Sequence, residues 1–312
     1  MTRMPADHTI RFGGPAPRFG IAPCTGFRLL SSKNVTFDTS QPPDPGTFSR
    51  MNTAEIRKAF LIDELFVPGQ VRYIHAGADR AVVGAALPGE IPLRLESCPE
   101  LGAAYFTERR ELGVINIGGP GRIRIGGHET SLEPKEALYV GRGNPEIAFS
   151  SVEPRNPAAF YFVSYPAHAV HPCARAGAGD IQSTGLGSCT GSNRRTIHKV
   201  IHPEGIQSCQ LTMGFTELAE GSVWNTMPAH THRRRSEIYL YFDLPDDGVV
   251  VHCMGEPQGT RHLIVRNRQA VISPPWSIHF GAGTTNYSFV WAMGGENQEF
   301  ADVDVVPMEV LS

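Results

Sequence analysis

The chain has little of what would assign it at a glance. Its six cysteines, at positions 24, 98, 173, 189, 209 and 253, form no CxxC pair and no closely spaced framework. That argues against a disulfide scaffold and for a reducing compartment. There is no run of roughly eighteen apolar residues, so no helical membrane span is expected. The opening residues Met1 to His8 lack the apolar centre of a secretory signal, and cytoplasmic residence is the default expectation. An excess of either charge is also missing. The balance of 28 basic against 31 acidic residues gives a formal charge of −3, too even to provide an electrostatic footprint for nucleic acid or an anionic membrane. A small molecule is the expected partner. Sustained helical periodicity is scarce, while 33 glycines and 25 prolines cut the chain into short segments, which favours an all-β class.

Three regions are expected. Residues 1–50, rich in Pro, Gly, Ser and Thr, read as an irregular N-terminal arm, with Met51 an alternative start. Residues 51–190 open with a short helical piece around Ile56 to Leu61. They then alternate strands with glycine turns, as in Gly113 to Ile117 followed by Gly118 to Gly121 and Arg122 to Ile125. Residues 191–312 repeat this logic after a Gly- and Ser-rich link. The segment Glu108 to Ile115 parallels Arg234 to Leu240, which suggests two barrels from a duplication. If Glu111 is set against Glu237, the positions of His230 and His232 fall on Ala104 and Phe106, so only the second barrel carries the metal pattern described next.

What the sequence does hold is His230-Thr231-His232, then Glu237, then Pro274 to His279. On a strand, residues two apart share a face, so His230 and His232 point together and Thr231 points away. Glu237, Tyr239 and Tyr241 share a face of the next strand. The run Ala270-Val271-Ile272 is the expected strand that brings His279 alongside. Three imidazoles and a carboxylate suit zinc or another divalent first-row metal better than calcium. Ligand type alone does not choose among them.

The pattern of HxH, Glu and a distant Pro-led His resembles the cupin superfamily. Longer strings resemble one family in particular, the 5-keto-4-deoxyuronate isomerases, or 4-deoxy-L-threo-5-hexosulose-uronate ketol-isomerases. They are Glu108 to Gly119, Ser192 to Ile197, Trp224 to Pro228, Gly255 to Gln258 with Thr260 to His262, Ala270 to Pro274 with Trp276 to His279, and Gly295 to Gln298. The resemblance runs from about residue 51 to the C-terminus. It implies a bicupin of two jelly-roll barrels with short helices. It further implies one zinc per subunit on His230, His232, Glu237 and His279, a homohexamer, and an aldose-to-ketose isomerisation of a keto-deoxyuronate in pectin or polyuronide breakdown.

Within that reading Tyr239, Tyr241 and Arg261 are candidates for moving a proton. Arg194, Arg195 and Arg261 are candidates for holding the substrate carboxylate, because a guanidinium offers a planar donor fork. The run Arg233 to Arg235 reads as solvated turn residues. Two other classes remain open on the residues alone: a non-haem iron cupin dioxygenase, and a sugar-binding cupin without turnover.

Overall fold

The computed structural model describes residues 35–312, with side chains from Ser40 onward. Most of the expected arm therefore lies outside the described residues. Its last part is more regular than expected. Val35–Ser40 is a strand paired in parallel with Val71–Ala76, and Pro45–Phe48 forms a helical turn capped by the Asp44 side chain. The helix Thr53–Phe60 follows, opened by a capping box in which Asn52 Oδ1 accepts from Ala54 and Glu55 N–H and Glu55 returns a bond to Asn52 N–H.

Each half of the chain builds a seven-stranded sheet facing a four-stranded one. In the first half the long sheet is centred on Phe160–Pro166 between Val82–Ala86 and Arg110–Asn116, and Gly121–Ile125 and Ile147–Ser151 lie in the short sheet. In the second half Ser288–Gly295 lies between Thr212–Leu218 and Arg235–Phe242, opposite Val250–Glu256 and Ile278–Gly283. Strands alternate their side chains between faces, and here both faces of the central strands of the long sheets are buried. In Arg235–Phe242, Tyr239 and Tyr241 enter the second barrel's lumen, while Ile238, Leu240 and Phe242 meet residues of the first barrel such as Val83, Tyr161 and Val163. The described residues thus form three apolar cores: one inside each barrel and one at the seam where the long sheets pack back to back.

Two details cut across the expected regions. Leu61–Ile62 adds an outer strand to the second barrel's long sheet, pairing with Val271 and Ala270, and Gln182–Leu186 is that sheet's opposite edge. Phe48 and Phe60 pack on Trp276, so residues 45–62 dock on the second barrel although they precede the first.

Glu111 corrects the internal alignment. Leu112 and Val114 face the first lumen, so the carboxylate next to them faces the seam, opposite in sense to Glu237. There it is fully buried and accepts four hydrogen bonds: from Gln210 and Leu211 N–H at 2.9 Å, Cys209 N–H at 2.6 Å and the Tyr139 hydroxyl at 2.8 Å. Among the described residues no helix is long and apolar enough to cross a membrane.

Candidate metal centre and cavity

Three segments deliver the four expected ligands to one point. His230 ends a loop and begins the two-residue strand His230–Thr231; His232 lies one residue past it. Glu237 is on Arg235–Phe242 in the long sheet. His279 is on Ile278–Gly283 in the short sheet, not on Ala270–Ser273 as the sequence pattern had it. The Pro274–Pro275 turn carries the chain from one sheet to the other between them. The four ligand atoms lie within 4.8 Å of one another, and among the described residues this is the one such group of His, Cys, Asp and Glu.

Inside the group the aligned hydrogen-bond contact is the one between His230 Nε2 and His232 Nε2, at 3.2 Å. Glu237 Oε2 stands 2.9 Å from His232 Nε2 and 2.8 Å from His279 Nε2. Neither of these contacts is aligned as a hydrogen bond, and Glu237 Oε2 and His279 Nε2 are both buried without a hydrogen-bond partner. A native interior rarely leaves such atoms orphaned, which is the signature expected of a position meant for an ion. The outer nitrogens are occupied instead. His279 Nδ1 contacts Ser273 Oγ at 3.0 Å, His230 Nδ1 the Pro228 carbonyl at 3.3 Å, and His232 Nδ1 the Asp302 carbonyl at 3.4 Å. The carbonyl at His230 Nδ1 favours the tautomer whose Nε2 lone pair faces inward, as metal-binding histidines require, while His232 Nδ1 is shared between the Asp302 carbonyl and Arg235 Nη2 at 3.3 Å.

Charge supports the same arrangement. Burial works against ionisation of Glu237, but the neighbouring His279 and His232 outweigh it and hold its carboxyl well below the usual range. Burial, reinforced by His279 and His232, pulls His230 down to about 3, so its imidazole is neutral and able to ligate. Zinc and the other divalent first-row ions fit a donor set of three imidazole nitrogens and one carboxylate oxygen.

The cage opens into a cavity of about 440 Å³. Of the candidates for proton transfer, Tyr239 lines it, with its hydroxyl 3.1 Å from Thr226 Oγ1 and its ring 5.2 Å from that of His279. Burial first, and then Glu237, push its phenol well above the ordinary value. Tyr241 lies deeper, bonded to His252 Nδ1 at 2.7 Å, and does not reach the cavity wall. Arg261 is exposed on Gly259–Val265 and donates to the Thr260 and Ser49 carbonyls, away from the cavity. Arg194 is also exposed and outside the lining. Arg195 is the one of the three arginines that enters it. Its half-buried guanidinium donates to the Asn193 carbonyl at 3.0 Å and has no ion-pair partner among the described residues; burial lowers it from the ordinary arginine range.

The sequence reading missed the opposite wall. Phe300, Ala301, Val303 and Val305 fold back over the cavity from beyond the last long strand. That segment is tied down by Asp302, which takes a bidentate bond from Arg234 and one from Asn297 at 2.6 Å. Arg235, expected in a solvated turn, is almost wholly buried, and its Nη2 donates at 2.9 Å to the Asp302 carbonyl that also faces His232. Only the pairing of charges, Arg234 with Asp302, offered a signal, and nothing in the spacing linked the two.

The chain is 51% identical over 267 residues to a 4-deoxy-L-threo-5-hexosulose-uronate ketol-isomerase of Caldicellulosiruptor bescii, covering 86% of this chain and 97% of that protein. It is 48% identical to ketol-isomerase 2 of Rhizobium meliloti, covering 90% and 100%, and 49% identical to the ketol-isomerase of Bacillus subtilis, covering 86% and 97%. An IolB-like protein of Salmonella typhimurium shares the two-barrel fold at a TM-score of 0.64 and 14% identity, over 79% of this chain and 96% of that one. The profile of the KduI/IolB family matches residues 67–306, so the chain belongs to the KduI/IolB family.

Proposed function

We propose that the protein is a metal-dependent ketol-isomerase. In this reading it converts 4-deoxy-L-threo-5-hexosulose uronate, an aldose, to the ketose 3-deoxy-D-glycero-2,5-hexodiulosonate in the breakdown of pectin or related polyuronides, as a cytoplasmic homohexamer with one zinc per subunit. The observation that carries the reading is the orphaned pair Glu237 Oε2 and His279 Nε2, at the floor of a cavity that also holds the Arg195 guanidinium, which has no ion-pair partner among the described residues. The relatives of about half identity and their names support it.

His230, His232, Glu237 and His279 would hold the metal. A divalent ion bound there supplies Lewis acidity, polarising a carbonyl and stabilising the negative charge that develops on its oxygen. Arg195 binds the substrate carboxylate through its donor fork, which fixes the other end of the sugar acid. Tyr239, with Thr226 behind it, presents a hydroxyl to the reacting oxygens. A proton donor so positioned is typically worth about 10²–10⁴-fold in rate. The walls of Phe289, Trp291 and Phe300 exclude water, which strengthens each of these polar contacts.

The test is to incubate metal-loaded protein with the 4-deoxy-5-keto hexuronate and follow the ketose by NMR, with metal content measured in parallel. Conversion that is lost on chelation and regained with zinc is expected. No conversion by fully loaded protein refutes the proposal.

A further inference from the structure

The cage lies at one end of the cavity and Arg195 at the other, and the strand register orders what lies between. Glu237 pairs with Met293, Tyr239 with Trp291 and Tyr241 with Phe289. Phe289 pairs onward with Thr216, and Thr216 with Ile197, two residues from Arg195. Met293, Trp291 and Phe289 therefore enter the lumen at two-residue intervals, as one stripe running from the cage toward the guanidinium. The stripe presents carbon. The Trp291 indole N–H is already given to Thr216 Oγ1 at 3.2 Å, and a thioether is a poor acceptor. Phe300 meets Trp291 from the facing wall, ring centroids 5.5 Å apart. Apart from Thr216, whose Oγ1 accepts that indole N–H, the polar groups of the cavity lie off this stripe, on Thr226, Tyr239, Arg195 and the cage.

A sugar acid held by its carbonyl at the cage and its carboxylate at Arg195 must lay its middle carbons along the stripe. We propose that Met293, Trp291 and Phe289 are the specificity element for the deoxygenated carbon of the substrate: they receive its C4 methylene and discriminate against a hexuronate that keeps a hydroxyl there. The inference rests on the isomerase reading above. A 4-hydroxyl placed against this stripe loses water and gains no partner, which costs binding in ground and transition states alike. Apolar pockets discriminate against one added hydroxyl by on the order of 10²-fold.

The test measures kcat/KM of the metal-loaded enzyme by NMR for the 4-deoxy-5-keto hexuronate and for the same 5-keto hexuronate bearing a 4-hydroxyl. A preference of about 10²-fold for the deoxy acid is expected. Met293→Gln, which puts an amide into the stripe at nearly constant volume, should shrink that preference about tenfold, and Met293→Leu should keep it. Phe289→Tyr, further from the cage, carries the same test where Met293→Gln disturbs metal loading. Equal kcat/KM for the two acids, or the same preference in the polar and apolar variants, overturns the inference and leaves the isomerase intact. Inactivity on both acids removes the isomerase reading and the inference with it.

Discussion

Glu111 offers the sharpest test of how the two barrels are joined. Its carboxylate belongs to the first barrel, and three of its four donors are the consecutive N–H groups of Cys209, Gln210 and Leu211, which lead into the second barrel's strand Thr212–Leu218. In Glu111→Gln, the amide oxygen can keep one side of this set, while the amide NH2 confronts the donors on the other. At least one buried N–H then lacks an acceptor. An unsatisfied buried donor costs about 1–3 kcal/mol, and bonds to a charged acceptor are worth about 1.5–3 kcal/mol each. A loss of roughly 3 kcal/mol is therefore expected for Gln, and more than about 4 kcal/mol for Glu111→Ala, which abandons all four donors. Equilibrium urea unfolding followed by tryptophan fluorescence measures it, because Trp224, Trp276 and Trp291 all report on the second barrel. The midpoint should fall with the slope unchanged, and catalysis by the folded variant should persist. A Glu111→Gln protein that unfolds at the wild-type midpoint would show that the carboxylate does not hold the seam.

Three further outcomes follow from the site. Ser273→Ala frees His279 Nδ1 and should weaken metal affinity by about 10–100-fold, read by competition with a chromophoric chelator; an unchanged affinity would refute the orienting role of Ser273. Arg195→Ala should raise KM for the uronate by about 10-fold or more, with Arg195→Lys recovering part of it, and an unchanged KM would remove Arg195 from the carboxylate. His198, ahead of the opposing effect of burial and together with Lys135, lowers Glu217 from 4.5 to about 2. A depressed carboxyl stabilises the fold fully above its unfolded value and loses that contribution as pH falls from 4.5 through about 2. Glu217→Gln should therefore be less stable than wild type at neutral pH and approach it in that acid window; parallel stability curves would contradict this.

The four residues of the candidate cage were legible as a group because they are nearly local. Parity placed His230 beside His232, and a carboxylate opening an alternating run pointed into a lumen. His279 was found by its Pro-led pattern, although the strand assigned to it was the wrong one, since a two-proline turn changes sheets without changing periodicity. Glu111 was misread for a related reason. Its strand is buried on both faces, so alternation reveals no inside, and a shift of one residue turns a lumen carboxylate into a seam carboxylate. The wall at Phe300 to Val305 and the docking of Leu61 on Val271 were invisible, because both depend on contacts between distant stretches that carry no periodic mark.

The position of residues 45–62 bears on how the molecule can be made or cut. These residues leave the ribosome before the first barrel, yet their partners Val271 and Trp276 emerge near the end of synthesis. The half that carries the candidate cage thus finishes its outer sheet with a piece of chain that has waited through nearly the whole of translation, while domains otherwise tend to fold in the order they are made. A gene fragment starting at residue 191 would encode all four residues of the candidate cage and still yield a barrel missing both edge strands of its long sheet and its aromatic cap, with the greasy back of that sheet turned to water.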